Sequence, residues 1–227
     1  MKMKKMMRMK KQLIILEKEA ALEELNVHHS NGTWDLVELP SGEKAIGSKW
    51  VFQIKRNADG SIERFKACIV AKGISQRPGF DYLETYASTL RSATIQLILA
   101  LAAIEDLHLC SVDISHAFVQ SDIDTVVYVR EADDFQVNGA NWVWRLNKSL
   151  YDLKQSLRLF GRKFAEVMHL MGCIQLHSDL CIYIWERDGV KIFVPVFVDD
   201  ITLASKSAET QDAFVAELAT HFKLRDL

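Results

Sequence analysis

The chain has 227 residues, of which 49% are hydrophobic and 26% are charged, and its formal net charge is −2. This composition is that of an ordinary globular protein, long enough for one sizeable core or for a domain with a smaller lobe. The charge balance gives no global indication of nucleic-acid or membrane binding, so a basic surface would have to be local.

The first 27 residues differ in composition from the rest. Five of the seven methionines lie in the first ten residues, mixed with lysine and arginine, and the stretch "LIILEKEAALEELNV" that follows has helical spacing. We interpret residues 1–27 as a basic, Met-rich leader followed by a solvated helix. A basic arm that contacts nucleic acid is the alternative interpretation.

From residue 28 onward, the hydrophobic pattern predicts strands and helices in succession. Apolar and polar residues alternate along residues 49–56 and again along residues 62–73, and the turn "NADG" lies between them. This pattern predicts a β-hairpin. Further helices are predicted at 86–109, 156–174 and 207–224, and further strands at 109–113, 125–132, 142–155 and 181–205, the last of these as two or three strands. This order predicts an α+β fold, with a mainly antiparallel sheet and helices on one face.

The cysteines and the apolar runs limit the cellular location. The four cysteines lie in apolar stretches without a CxxC spacing, which predicts buried thiols in a reducing compartment. The longest apolar run, residues 97–104, is far shorter than the roughly 18 residues of a membrane span. The apolar stretch near the N-terminus is too short for a secretion signal. The sequence therefore predicts an intracellular protein that does not enter the membrane.

Two adjacent aspartates, Asp199 and Asp200, follow an apolar run and precede a second one. Asp-Asp is a poor hairpin turn, and two carboxylates about 4 Å apart repel by roughly 4 kcal/mol at an effective dielectric constant near 20. Asp113 ends another apolar strand. If the two strands are neighbours in one sheet, the three carboxylates meet at the same end of it. Such a group suggests a divalent cation with oxygen ligands, for which magnesium fits best.

One other interpretation of these aspartates remains open, and a second is disfavoured. Asp199 and Asp200 could be exposed turn residues, with Asp113 capping the turn that follows it. A phosphoacceptor site would require a doubly wound fold with regular alternation of strands and helices, which this chain does not show.

Four motifs follow one another in a recognisable order and spacing: the stretch from "KWVFQIKR" to "LILALAA", then "SVDISHAFVQSD", "SLYDLKQSLRLFG" and "VFVDD". In this they resemble the copia-type retrotransposon reverse transcriptases, over about residues 33–227. The resemblance implies the fingers and palm of a right-hand polymerase in residues 28–227, within a fragment of a pol polyprotein that ends before a thumb. It also implies an RNA-directed DNA polymerase.

The resemblance assigns roles to the carboxylates. Asp113, Asp199 and Asp200 would hold two magnesium ions, or manganese, and the backbone carbonyl of Ile114 would complete the ligand set. One ion would activate the primer 3′-hydroxyl, and the other would neutralise the triphosphate and the leaving pyrophosphate. The implied partners are an RNA or DNA template–primer and deoxynucleotide triphosphates.

The resemblance also implies a nucleotide-binding set. Phe118 would pack under the deoxyribose and reject a 2′-hydroxyl; a core aromatic is the alternative. Lys66 and Arg64 would reach the triphosphate, although basic residues that alternate along a strand often form only its solvated face. Phe197, which replaces the family's usual tyrosine beside the aspartate pair, also belongs to this set. The set is completed by two residues of the third motif, Tyr151 and Asp152.

Three positions depart from the family pattern. Cys68 stands where the family has an arginine, Asp152 replaces a glycine, and Leu157 replaces a proline. A thiol cannot replace a bidentate guanidinium contact to phosphate, and Asp152 adds a negative charge. With the expected lack of a thumb, these departures define a second hypothesis, a catalytically inactive remnant that at most binds nucleic acid. A third hypothesis is an unrelated α+β domain with aspartates in surface turns.

Overall fold

The computed structural model of the chain describes residues 2–132, 139 and 141–226, and the side chains among them from residue 15 to residue 225. The helices are α1 (Lys2–Ser30), α2 (Ser92–Ile104), α3 (Ser156–Leu170) and α4 (Ala208–Leu218). The strands are β1 (Trp34–Glu38), β2 (Ala45–Ile46), β3 (Ser48–Arg56), β4 (Ile62–Ala71), β5 (His108–Ile114), β6 (Tyr128–Arg130), β7 (Trp142–Leu146), β8 (Ile174–Gln175), β9 (Ile182–Arg187), β10 (Val190–Phe197), β11 (Asp200–Ser205) and β12 (Leu224–Asp226). Short 3₁₀ turns cover Gly73–Ser75 and Ala117–Gln120.

The chain forms two compact units. The first unit comprises Met1–Leu83 and Asp122–Ser156, and the second comprises Glu84–Ser121 and Leu157–Leu227. Each unit is therefore built from segments that are not contiguous in the sequence.

The first unit contains a four-stranded sheet and a two-stranded ribbon. The sheet has the order β1-β7-β6-β2, and only its β2–β6 pair is parallel. The ribbon is the antiparallel pair β3–β4, in register from Ser48 opposite Ala71 to Arg56 opposite Ile62. This ribbon confirms the hairpin predicted around the "NADG" turn.

Helix α1 packs against the ribbon, so the prediction of a solvated helix is wrong for its second half. Ala20 and Ala21 are buried in one apolar cluster with Ala67 of β4. Glu24 and His28 are also buried, with 3.4 Å between the Glu24 Oε1 and His28 Nε2 atoms. The residues that α1 contributes to this contact are small or polar, so hydropathy alone did not reveal it. The helix continues to residue 30, past the predicted boundary at residue 27, and the division into leader and domain stays a prediction.

The second unit is built on a six-stranded sheet with the order β12-β5-β11-β10-β9-β8, in which every pair is antiparallel. The large side chains of α3, Phe160, Phe164 and Met168, share one core cluster with Ile192 and Val194 of β10. Burial of these apolar side chains contributes roughly 1.5–3 kcal/mol each. The cluster therefore holds α3 against the strand that leads to the aspartate pair.

Helix α2 begins at Ser92, six residues later than predicted. The side chain of its N-cap, Arg91, makes no capping hydrogen bond. Instead, the carboxylate of Asp179 accepts hydrogen bonds from the Arg91 backbone N–H (3.2 Å) and the Thr94 hydroxyl (2.8 Å). A cap supplied by a residue so distant in sequence is not visible in local patterns, which explains the displaced boundary.

The α+β class and the predominance of antiparallel pairing are confirmed. The position of the helices on one face and the assignment of fingers and palm stay predictions. Across the described residues, no helix is long and apolar enough to cross a membrane.

Candidate active site

The predicted carboxylates of two different strands lie side by side in the sheet of the second unit. Strand β11 pairs antiparallel with β5, and Asp200 stands directly opposite Asp113. Side chains that stand opposite each other in an antiparallel pair lie on the same face with Cβ atoms about 5 Å apart, and like charges in this position are destabilising. The expectation that the two strands are neighbours is confirmed. The sheet thus tolerates an unfavourable charge pair at its end.

The hairpin turn before Asp200 consists of Val198 and Asp199, because Phe197 already pairs with Asp200. Asp199 is therefore one of the two turn residues, whereas Asp200 is the first residue of β11. Val198 adopts a left-handed φ of +59°, which is unusual for a β-branched residue. The carbonyl oxygen of Asp199 accepts a hydrogen bond of 2.9 Å from the Ile114 backbone N–H. The turn is thereby fixed to the strand that carries Asp113.

The same cross-strand row contains a cation that the sequence analysis missed. Arg225 of β12 stands opposite Asp113 on the side away from β11, so the row runs from Arg225 through Asp113 and Asp200 to Phe197. The strand that carries Arg225 has only three residues, too few for a periodic signal. The only sequence signal is a basic residue shortly after the last helix.

The donor set suits a hard cation, since carboxylate oxygens are the ligands that magnesium prefers. Among the residues that the structure describes, however, no three His, Cys, Asp or Glu residues are grouped so that they could hold a metal ion. The structure brings Asp113 and Asp200 into register and places Asp199 in the adjoining turn. Metal binding by these residues and by the Ile114 carbonyl stays a prediction.

Phe197 is exposed over 55% of its surface and lines a cavity of about 230 Å³ beside Asp200. The other walls come from Leu90, from Ser92 and Ile95 at the start of α2, and from Pro195 and Thr202 of the hairpin. An aromatic ring and a carboxylate thus face the same cavity at the end of the sheet.

Phe118, the predicted sugar gate, lies in the 3₁₀ turn Ala117–Gln120 and is half-buried. Its ring stands edge-on to Phe160 of α3, with 6.3 Å between the centroids and 85° between the planes. The Gln120 side chain donates a 2.7 Å hydrogen bond to the Ser115 carbonyl, which closes the loop that carries Phe118. The ring therefore contacts the core and keeps part of its surface accessible, so its role as a gate stays a prediction.

The predicted triphosphate contacts lie in the first unit, on β4. Lys66 stands opposite Gln53 and Arg64 opposite Lys55, so both are on one face of the ribbon. Cys68 lies on the same face, opposite Val51. Burial, and after it the carboxylate of Glu24, raise the pKa of the Cys68 thiol, although Lys66 and Lys55 oppose them. The thiol is thus neutral at pH 7 and supplies no positive charge at this position, where the resemblance predicts an arginine.

Tyr151 and Asp152 lie beside the end of β4. Tyr151 forms a parallel bridge with Val70, and its carbonyl accepts a 3.0 Å hydrogen bond from the Ala71 N–H. Asp152 adopts a left-handed φ of +66°, a conformation that favours glycine, and its carboxylate lies 4.0 Å from the Lys49 Nζ atom. A Cβ atom at Gly73 would lie 1.9 Å from the Asp152 carbonyl oxygen, so only glycine fits there.

Comparison with known proteins identifies the family. The sequence model described as "Reverse transcriptase (RNA-dependent DNA polymerase)" matches residues 31–227. The chain belongs to this reverse transcriptase family. The match spans segments of both units, including the strands that carry the three aspartates.

Curated relatives include polyproteins of plant transposons. The chain is 34% identical over 211 residues to the "Retrovirus-related Pol polyprotein from transposon TNT 1-94" of Nicotiana tabacum, which covers 92% of the chain and 16% of that relative. It is 32% identical over 205 residues to the corresponding polyprotein from transposon RE1 of Arabidopsis thaliana, over 89% of the chain and 14% of the relative. The chain thus spans about a sixth or less of the length of these relatives. The predicted resemblance to copia-type elements is confirmed.

Proposed function

We propose that this chain is the RNA-directed DNA polymerase portion of a copia-type retrotransposon Pol polyprotein. The observation that carries the proposal is the cross-strand row in which Asp113 and Asp200 stand opposite each other, with Asp199 in the turn. Arg225, which stands opposite Asp113, offsets at most one of the three negative charges, so a bound cation would compensate the remainder. Membership of the reverse transcriptase family supports the same activity.

In this proposal, Asp113, Asp199, Asp200 and the Ile114 carbonyl hold two magnesium or manganese ions. When bound, such ions activate a hydroxyl and neutralise phosphate charge. Phe118 excludes a 2′-hydroxyl, and Phe197 contributes to the nucleotide site from its position beside Asp200. Lys66, Arg64 and Tyr151 bind the nucleotide. The substrates are deoxynucleotide triphosphates and an RNA or DNA template–primer. The intracellular location that the cysteines and apolar runs indicate stays a prediction.

Primer extension on a homopolymer template, with deoxynucleotides and magnesium, tests the proposal. We expect Asp113→Asn to reduce extension at least about 100-fold, because a metal supplies several kcal/mol of transition-state stabilisation. Asp212→Asn, a change at an exposed aspartate of α4, is the matched control and should extend normally. Extension that survives Asp199→Asn together with Asp200→Asn would show that the metal assignment is wrong.

A specific observation favours a second candidate, a polymerase-like remnant without activity. Cys68 is a neutral thiol at a position where the resemblance predicts a guanidinium, and the Asp152 carboxylate lies 4.0 Å from the Lys49 ammonium. If the native chain does not extend a primer, Cys68→Arg combined with Asp152→Gly should restore extension. Magnesium-dependent binding of a labelled triphosphate provides a readout that does not depend on extension.

A further inference from the structure

The loop between β4 and α2 presents an aromatic ring to solvent on a rigid support. The ring of Phe80 is exposed over 73% of its surface, and the guanidinium carbon of Arg77 lies 5.3 Å from its centroid. An exposed phenylalanine alone is unremarkable, since isolated surface apolar residues are common. What distinguishes Phe80 is the set of buried polar groups that hold this loop.

Arg77 is fixed in place by a single carboxylate. Asp81, which is buried, accepts hydrogen bonds from the Arg77 backbone N–H (2.6 Å), Nε (3.1 Å) and Nη2 (2.9 Å). A guanidinium bound in this bidentate manner has little rotational freedom. It therefore keeps its position behind Phe80 without needing an external partner.

The backbone of the loop is equally constrained. The Asp81 carbonyl accepts hydrogen bonds from the side chains of Gln155 (2.9 Å) and Thr125 (2.9 Å), and Gln76 bonds to Gln155 at 3.0 Å. At the tip, Gly79 has a φ of +79° and its N–H donates to the Tyr82 carbonyl at 2.8 Å. Buried amides and a buried carboxylate thus preorganise a loop whose most prominent side chain contacts solvent.

We propose that Phe80 and Arg77 form a stacking platform for an unpaired base of a nucleic-acid strand. One face of the ring is covered by the guanidinium, and a base would stack on the other. Stacking on aromatic rings next to cations is how proteins bind single strands without regard to sequence. Lys72, which precedes the loop, and Lys154, whose backbone N–H donates to the Gln76 side chain, are exposed cations on segments joined to the loop. Although Glu43 also interacts electrostatically with Arg77, these two lysines favour a polyanion over an apolar protein partner. The inference rests on the proposed function for the identity of the strand, which would be the template ahead of the primer end.

The test is binding of fluorescent oligonucleotides to the full chain, measured by anisotropy without metal or nucleotide. We expect Phe80→Ala to weaken binding of a single-stranded DNA or RNA about tenfold, the effect of losing one stacked base, and to leave binding of a blunt duplex unchanged. Phe80→Trp should retain the affinity. Ile74→Ala removes a side chain of the same unit that is 90% exposed, and it should have no effect.

A strand with an abasic position makes the test specific. A duplex with a single-stranded template overhang fixes the register of the strand, so an abasic site can be moved along the overhang. If a base stacks on Phe80, one abasic position should weaken binding by the native chain and have no further effect on binding by Phe80→Ala. Equal losses for Phe80→Ala and Ile74→Ala, or a change in self-association measured by sedimentation, would overturn the proposal. A chain that binds as expected but does not extend a primer would contradict the proposed function alone. If the native chain extends a primer but Phe80→Ala leaves the affinity for a single strand unchanged, this inference alone is contradicted.

Discussion

Val198 carries a strained backbone at the turn before Asp200. A φ of +59° costs an L-residue roughly 1–2 kcal/mol, and a β-branched side chain increases the strain. Glycine removes the strain but loses more entropy on folding, about 0.5–1 kcal/mol. We therefore expect Val198→Gly to leave the free energy of unfolding unchanged or to raise it by up to about 1 kcal/mol, measured by urea denaturation. Val190→Gly, at an equally half-buried position of β10 without positive φ, should destabilise the protein. Equal destabilisation by both changes would contradict the strain argument.

Asp152 combines a left-handed conformation with a carboxylate near Lys49. The Asp152 side chain is 65% exposed, so its attraction for Lys49 is screened and small, at most about 1 kcal/mol. We expect Asp152→Gly to raise the affinity for a magnesium-bound triphosphate by up to about fivefold in low salt, because it removes a negative charge and leaves Lys49 available. Asp152→Asn should give a similar gain. An unchanged affinity in both variants would show that Asp152 does not face the nucleotide.

The second half of α1 is a structural element of the first unit. Ala21 is fully buried, and it shares a cluster with Ala67 of β4. A larger side chain there should overpack the contact, so we expect Ala21→Leu to lower the free energy of unfolding by about 1–3 kcal/mol. Leu22→Ala, at a neighbouring position that is 55% exposed, should change it by no more than about 0.5 kcal/mol. Thermal denaturation of both variants measures the difference, and equal melting temperatures would mean that α1 does not pack against the ribbon.

The stability that the loop carrying Phe80 contributes should depend on pH, because Asp81 holds the loop. Burial raises the pKa of this carboxyl, but hydrogen bonds from Arg77 outweigh that effect and leave the pKa below its ordinary value. A carboxyl whose pKa is lowered on folding stabilises the fold fully above its unfolded pKa, about 3.9, and this contribution is lost as pH falls through the folded value. We expect Asp81→Asn to destabilise the protein at pH 7 and progressively less below pH 4, by chemical denaturation. A pH-independent difference would contradict this, and Asp212→Asn is the exposed control.

At the scale of the whole molecule, binding of nucleic acid must overcome a net charge of −2. The cations are locally concentrated on one face of the β3–β4 ribbon, where Lys55 stands opposite Arg64. Each phosphate contact contributes about 0.9 to the slope of log affinity against log salt. We expect Lys55→Gln to reduce the slope for a template–primer duplex by about that amount, with Lys191→Gln, on a strand of the second unit, as control. The same reduction in both variants would show that the ribbon has no special role.

Prediction from sequence succeeded where periodicity and motif order agreed. Alternation identified the β3–β4 hairpin, and apolar runs that end in aspartate identified β5 and the hairpin before Asp200. It failed where distant or small residues decide the structure. Ala21 buries too little apolar surface to produce a hydropathy signal, and Arg225 lies in a strand too short for one. Local sequence also could not show that Val198, rather than Asp200, belongs to the turn, because that depends on register with the neighbouring strand.

Gly73 has a consequence for how this sequence can change over generations. The atom that any other residue would bring lies against main chain, the Asp152 carbonyl oxygen, so no exchange of the side chain at position 152 can relieve the clash. The requirement for glycine at position 73 is therefore independent of the side chain at position 152, and position 73 admits no alternative unless the backbone moves. In a library selected only for folding, Gly73 should stay fixed while Asp152 varies. If this sequence lost DNA polymerase activity in the course of evolution, Gly73 would still be retained for as long as the protein had to fold.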